Sequence, residues 1–148
     1  MNNYARFLCQ IGRNSEAEPI FIEAAANPLY PTPDLAITNA GICAYQDERK
    51  EDAEKYFRRA LEINPKSAIA LLQMAQLGFD KKNYLSTRAH LQRYLEVSRH
   101  SPSSLWLGIK VENELGDKNA LSSYALSLKN NFPDSEEAEL LMEFEANR

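Results

Sequence analysis

The chain has 148 residues, of which 44% are hydrophobic and 26% are charged, and its formal net charge is −4. Five glycines and seven prolines are few for this length, which favours helices over a turn-rich β fold. No apolar run approaches the roughly 18 residues of a membrane-spanning helix, no export signal is recognisable, and the basic residues are too dispersed to follow a nucleic-acid backbone. We therefore expect one soluble domain over residues 1–148, without membrane insertion and without a nucleic-acid partner.

Nine helices follow from the apolar spacing of successive segments. The second and third are separated by Asn27–Pro33, whose three prolines make a stiff connector. Asn64 and Pro65 end the fourth helix, and Gly116 and Asp117 mark a turn and the start of the eighth. The predicted ranges are Asn2–Ile11, Ser15–Ala26, Asp34–Gln46, Lys50–Ile63, Ser67–Asp80, Tyr84–Ser98, Pro102–Leu115, Asp117–Asn130 and Ser135–Ala146.

Small residues recur along these helices at fixed spacing. In the clearest unit, a small residue is followed by Ala after 12 positions, an aromatic residue after 4 more, Ala after 3 more and Pro after 5 more. The residues are Gly41, Ala53, Phe57, Ala60 and Pro65. Small side chains at these places let paired helices approach closely, and this order is the signature of the tetratricopeptide repeat (TPR).

The same spacing continues on both sides of that unit. Upstream it is carried by Ala5, Ala17, Phe21 and Ala24, and downstream by Ala75, Thr87, Leu91, Tyr94, then Gly108, Ala120 and Tyr124. The sequence therefore predicts an all-α TPR solenoid, a right-handed superhelix of about four helix-turn-helix repeats with the first one truncated. The repeats are predicted at residues 1–33, 34–67, 68–100 and 101–133, and a capping helix within 134–148.

In a TPR superhelix the first helix of each pair lines the concave surface. Residues one step away from the core stripe of those helices are expected there, and Asn39 is expected to hydrogen-bond locally or to a ligand backbone. The predicted protein-binding groove consists of Leu35, Thr38, Asn39, Ile42, Tyr45, Ile69, Leu72, Gln76, Phe79, Leu105, Trp106 and Ile109. Apolar surface with aromatic residues is typical of a protein-binding site. The alternative is that several of these side chains, Trp106 above all, belong to the core.

The polar residues suggest no chemistry beyond binding. His90 and His100 have no acidic or thiol partner at helical spacing, and no nucleotide-binding or nucleophile motif is present. Carboxylates such as those of Glu16, Glu18, Asp52 and Glu54 are expected on solvated helix faces. Ile69 and Gln73 stand where a clamp for acidic C-termini would need basic residues. We expect no catalytic residue, metal, cofactor or charge-based clamp.

Several stretches outside the generic TPR positions resemble one TPR family, the type IV pilus biogenesis proteins of the PilW/PilF pilotin type. The stretches that carry the resemblance are Asn2–Tyr4, Phe7–Cys9, Asn27–Pro33, Asn39–Cys43, Arg93-Tyr94, Leu105–Ile109, Gly116-Asp117 and Phe132–Ser135. The resemblance implies a lipoprotein on the periplasmic face of the outer membrane that assists assembly of the secretin, the channel through which the pilus passes. Its lipid anchor is expected upstream of these residues. The alternative is a generic TPR adaptor for another cell-envelope complex.

The resemblance also bears on the two cysteines, which by themselves have no metal-ligand spacing and are equally consistent with small buried side chains. Cys9 and Cys43 fall on the first helices of adjacent repeats, which pack side by side. An oxidising periplasm permits a bridge between them. We predict a Cys9–Cys43 disulfide.

Overall fold

A computed structural model describes residues 2–148, without the side chain of Asn2. Met1, the start of the first predicted repeat, lies outside the described residues. The described residues form nine helices: α1 (Asn2–Gln10), α2 (Asn14–Ala26), α3 (Pro33–Gln46), α4 (Lys50–Ile63), α5 (Ala68–Asp80), α6 (Tyr84–Val97), α7 (Pro102–Leu115), α8 (Lys118–Asn131) and α9 (Glu136–Ala146). Each predicted helix is confirmed, with its ends within one residue of the prediction. No strand occurs between residues 2 and 148.

The helices belong to two compact units. The first extends to Leu77 and contains α1 to α4 and most of α5, and the second begins at Gly78 and contains the end of α5 and α6 to α9. In the first unit, α1 pairs with α2 and α3 with α4, while α2 and α1 also contact α3. In the second, α7 pairs with α8 and contacts both α6 and α9.

Large side chains in the first unit are enclosed by the small residues of the repeat signature. Phe21 is buried with Ala5, Leu8 and Ala17. Phe57 of α4 is fully buried against α3, where a Cβ atom on Gly41 would lie 2.5 Å from the Cε1 atom of its ring. The expected close approach of α3 and α4 at Gly41 is therefore present in the structure.

This approach makes Gly41→Ala a test of the packing between α3 and α4. The added methyl group would overlap the Phe57 ring, which is enclosed on all sides, and such overpacking costs about 1–3 kcal/mol. Alanine regains up to about 1 kcal/mol of helix propensity over glycine. We expect a net loss of stability of about 1–2 kcal/mol in urea unfolding. The double variant Gly41→Ala/Phe57→Leu should lose less than the sum of the single changes, and strict additivity would contradict this account.

The second unit has its core between α7, α8 and α9. Its buried residues are Leu105, Ile109, Leu121, Ala125, Leu128, Ala138 and Leu141. The helices start at polar caps: Ser101 and Ser104 form a capping box before α7, and Asp117 and Ser135 accept hydrogen bonds from backbone N–H groups of α8 and α9. Gly116 has a φ of 78° at the turn before α8, where glycine is favoured. The turn and helix start predicted at Gly116 and Asp117 are confirmed.

Each unit contains one buried carboxylate paired with arginine across successive repeats. Glu18 of α2 pairs with Arg49 at the start of α4, and the Tyr56 hydroxyl donates to Glu18 Oε1 at 3.2 Å. Glu112 of α7 pairs with Arg88 of α6, whose Nε atom lies 3.1 Å from Glu112 Oε2. The expectation that Glu18 lies on a solvated face is wrong, because its side chain is only 8% exposed and Arg49 compensates its charge.

Candidate protein-binding surface

The structure divides the predicted groove residues into buried and accessible ones. Thr38, Leu105 and Ile109 have no exposed surface, so they cannot contact a partner and the prediction is wrong for them. The Thr38 hydroxyl donates to the carbonyl oxygen of Asp34, one turn earlier in α3, at 2.7 Å. This bond satisfies the hydroxyl inside the helix packing.

Burial of Leu105 and Ile109 has a tertiary cause. Both belong to the core cluster that includes Ala138 and Leu141 of α9, and α9 contacts α7 directly. The terminal helix thus covers the face of α7 on which these two residues lie. A helix that packs on a repeat in this way buries apolar surface that would otherwise be exposed to water.

The other predicted groove residues retain accessible surface. In the first unit Leu35 is 36% exposed and Ile69 is 49% exposed. Partial exposure is found for Asn39, Ile42, Tyr45, Leu72 and Gln76 in that unit, and for Phe79 and Trp106 in the second. Both units therefore present accessible apolar side chains on first helices. Burial of such surface at an interface stabilises a protein–protein complex.

A cleft of about 170 Å³ opens between α1 and α3 in the first unit. Its lining consists of Arg6, Cys9 and Gln10 from α1, Phe21 from α2, and Asn39, Ile42, Cys43 and Gln46 from α3. Only Asn39, Ile42 and the two cysteines were predicted as site residues. Arg6 and Gln10 were missed, although they precede Ile42 and Gln46 by the same 36 residues that separate Ala17 from Ala53. Applying the repeat register to the first helix would have found Arg6 from Ile42, but not Gln10, because its equivalent Gln46 was not predicted either.

Cys9 and Cys43 lie together at this cleft. Their Cα atoms are 5.6 Å apart and the structure joins the two sulfur atoms. That Cα separation is the usual one for a disulfide. Beside the bridge, the Asn14 side-chain amide is buried and donates to the carbonyl oxygen of Cys43 at 2.7 Å. The bridge and this hydrogen bond both connect the first repeat to α3.

In the second unit, a lysine lies between two predicted groove aromatics. The Lys110 ammonium nitrogen is 4.9 Å from the centre of the Phe79 ring and 5.9 Å from that of Trp106, within cation–π range. Trp106 also packs edge-on against Phe144 of α9, with ring centres 6.2 Å apart. Burial lowers the pKa of Lys110, and the carboxylate of Asp80 opposes this effect. Trp106 thus packs against the core and keeps part of its surface accessible, so its contact with a partner stays a prediction.

The histidines are held by local contacts within their own helices or caps. His90 Nδ1 lies 2.9 Å from the carbonyl oxygen of Ser86, and His100 Nδ1 lies 2.8 Å from Ser104 Oγ. Burial lowers the pKa of His100. The His100–Ser104 pair has the atoms of a base and a nucleophile, but Ser104 is fully buried in its capping box. That hydroxyl cannot reach a substrate.

Among residues 2–148, no helix is long and apolar enough to cross a membrane.

The fold of the chain is similar to that of known proteins. The tetratricopeptide repeat family matches residues 35–67, which is the second predicted repeat to within one residue. The prediction of an all-α TPR solenoid is confirmed by this match and by two similar solved structures.

One of these structures is a crystal structure of PilW, described as a widely conserved type IV pilus biogenesis factor. It shares 32% identity with this chain at a TM-score of 0.82, covering 95% of this chain and 65% of that one. The other is PilF of Pseudomonas aeruginosa, with 30% identity, a TM-score of 0.83, and coverage of 99% of this chain and 65% of that one. In sequence, the chain is 30% identical over all 148 residues to the type IV pilus assembly protein PilF of that organism, and it spans 58% of that relative's length.

Proposed function

We propose that this chain, which is similar over nearly its whole length to TPR proteins of type IV pilus biogenesis, is a non-enzymatic scaffold that acts as a pilotin, an assembly factor for the outer-membrane secretin. The observation that supports this proposal is the accessible apolar surface on first helices of the first unit, where Ile42, Tyr45 and Leu72 are each partly exposed. A scaffold needs such surface and needs no convergent catalytic groups.

The mechanism follows from what apolar surface does in water. A subunit that assembles into a ring exposes, before assembly, surface that the ring will bury, and exposed apolar surface favours aggregation. Contact with side chains such as Ile42 and Leu72 removes apolar surface from water. Each Å² of apolar surface buried stabilises the complex by about 25 cal/mol. The scaffold would shield such a segment before or during ring assembly and release it to a neighbouring subunit.

The proposed location is the periplasmic face of the outer membrane, with a lipid anchor in the intact protein upstream of these residues. The Cys9–Cys43 bridge fits an oxidising compartment of this kind. The second candidate is a TPR adaptor for another cell-envelope complex, which the same apolar surface would also serve. A lipid-attachment motif in the intact gene, beside genes for pilus components, would favour the first candidate.

Introducing a negative charge on the accessible first-helix surface of the first unit, here called the inner surface, tests the proposal. Ile42→Glu and Leu72→Glu each place a carboxylate where a partner's apolar segment would be desolvated, so we expect capture of the secretin to weaken at least about tenfold. Because both side chains are only partly buried, helicity measured by circular dichroism should not change. Capture is measured with purified periplasmic secretin domains, and assembly by the amount of secretin multimer in cells.

The control variant is Ile63→Glu, which makes the same chemical change on α4, a second helix, at a side chain that is 46% exposed. It should leave capture and multimer formation as in the unaltered protein. If Ile42→Glu and Leu72→Glu behave like this control, the inner surface has no part in binding the secretin and the proposed mechanism is wrong.

A further inference from the structure

The cleft between α1 and α3 in the first unit combines one cation with several carboxamides. Arg6 is exposed and forms no ion pair or hydrogen bond with any residue in the described part of the chain, although the net charge is −4. Arg13 is paired with Glu16 and Arg58 with Glu54, whereas Arg59 resembles Arg6 in having no ion pair but lies outside the cleft. An arginine left without a carboxylate beside a cleft is suited to a carboxylate supplied by a partner, which its planar guanidinium group binds through two hydrogen bonds.

Three carboxamides line the same cleft. The side chains of Gln10, Asn39 and Gln46 likewise make no hydrogen bond with the residues that the structure describes. Asn39 is also partly buried. A carboxamide both donates and accepts, so it matches the N–H and C=O groups of a peptide backbone. An extended chain has such groups to offer, whereas a helix satisfies its own.

The floor of the cleft is apolar. Phe21 is buried beneath it, and Ile42 and the bridged cysteines complete its lining. An aliphatic side chain would fit against this floor while the carboxylate stays near the solvated Arg6. From these contacts we propose that the α1–α3 cleft binds an extended segment of the partner protein that carries an acidic side chain next to an aliphatic one. This inference rests on the proposed function, since it specifies which chemistry of the secretin the inner surface recognises.

The test measures how strongly Arg6→Gln weakens binding of purified periplasmic secretin domains by the otherwise unaltered protein. Loss of a charge-assisted hydrogen bond pair should weaken binding about tenfold or more. Arg59→Gln is the matched control, because Arg59 is also exposed but lies on α4, outside the cleft. It should bind as the unaltered protein does.

Salt dependence gives a second measurement that a merely structural role of Arg6 would not change. Between about 0.05 M and 0.5 M salt the Debye length falls severalfold, so an Arg6–carboxylate contact weakens. The unaltered protein and Arg59→Gln should lose affinity over this range, and Arg6→Gln should lose clearly less. The binding segment is then identified with overlapping synthetic peptides that tile the secretin, each acidic peptide being compared with its amide-substituted twin.

The outcomes separate the two proposals. If the secretin binds but Arg6→Gln matches Arg59→Gln in affinity and salt dependence, the cleft inference is wrong and the proposed function stands. If tiling peptides fail to bind, or bind equally with acid or amide, the occupant is not an acidic extended segment and the inference is again wrong. Self-association that Arg6→Gln abolishes would assign the cleft to a second copy of the chain and overturn it. If the unaltered protein does not bind the secretin, both proposals fail.

Discussion

Replacing Arg88 by methionine should lower the stability of the protein by more than the loss of an exposed ion pair would, because the buried carboxylate of Glu112 is left without its partner. The Glu112 side chain is only 3% exposed, and Arg88 is its ion-pair partner inside the packing of α6 on α7. Methionine keeps the apolar stem of arginine and lacks the guanidinium group, so the change mainly removes the charge and its hydrogen bonds. The measurement is the shift of the urea unfolding midpoint, with the helical signal as the readout.

Two further variants identify the cause. Glu112→Gln leaves Arg88, which is 33% exposed and can turn towards water, so we expect it to cost clearly less than Arg88→Met. The double variant Arg88→Met/Glu112→Leu has no buried charge and should recover most of the lost stability. If Arg88→Met and Glu112→Gln destabilise equally, or if the double variant is no better than Arg88→Met, then packing rather than charge explains the loss.

The second large effect is expected from removal of the disulfide. A bridge across a sequence separation of 34 residues restricts the unfolded chain, and by loop-closure entropy this stabilises the folded state by about 3–4 kcal/mol. Cys9→Ala/Cys43→Ala should lose about that amount in urea unfolding. The unaltered protein should lose a similar amount of stability when a phosphine reductant opens the bridge. Reduction leaves no cavity, so it controls for the cavity that Cys43→Ala creates at this fully buried position.

Thiol titration decides whether the bridge exists in the protein as it is made. Unreduced protein from the periplasm, unfolded in denaturant, should show no reactive thiol, and the reduced protein should show both. Two free thiols in the unreduced sample would contradict the disulfide. Equal stability of the reduced and unreduced proteins would instead show that the bridge, though formed, does not restrain the unfolded chain.

The helices could be predicted from the sequence because their signals are local. Apolar spacing, the prolines of the connector and the polar caps fix each helix within a few residues of itself, whatever it packs against. The pairing of Gly41 with Phe57 was predictable for a similar reason, since a repeat signature encodes contacts within one hairpin. These features need no knowledge of the rest of the chain.

The accessible surface was harder to predict because burial depends on distant elements. Leu105 and Ile109 occupy the repeat positions predicted for the groove, yet α9 covers them. The spacing of apolar residues along a helix does not predict where α9 packs. Glu18 has the polar character of a solvated residue, and only the approach of Arg49, 31 positions later, makes its burial favourable. Arg6 was missed for a different reason: the inner-surface register was not applied to the first helix.

The two buried ion pairs limit how the repeats could be rearranged by design. Glu18 and Arg88 follow the small residues Ala17 and Thr87 at the same place in their repeats, but they carry opposite charges. Their partners, Arg49 and Glu112, are opposite as well. Exchanging the first and third hairpins in a chimera would separate Glu18 from Arg49 and Arg88 from Glu112, so both native ion pairs would be lost. The first and third hairpins are thus each matched in charge to the hairpin that follows them, and a permuted array would need new partners for the buried carboxylates of Glu18 and Glu112.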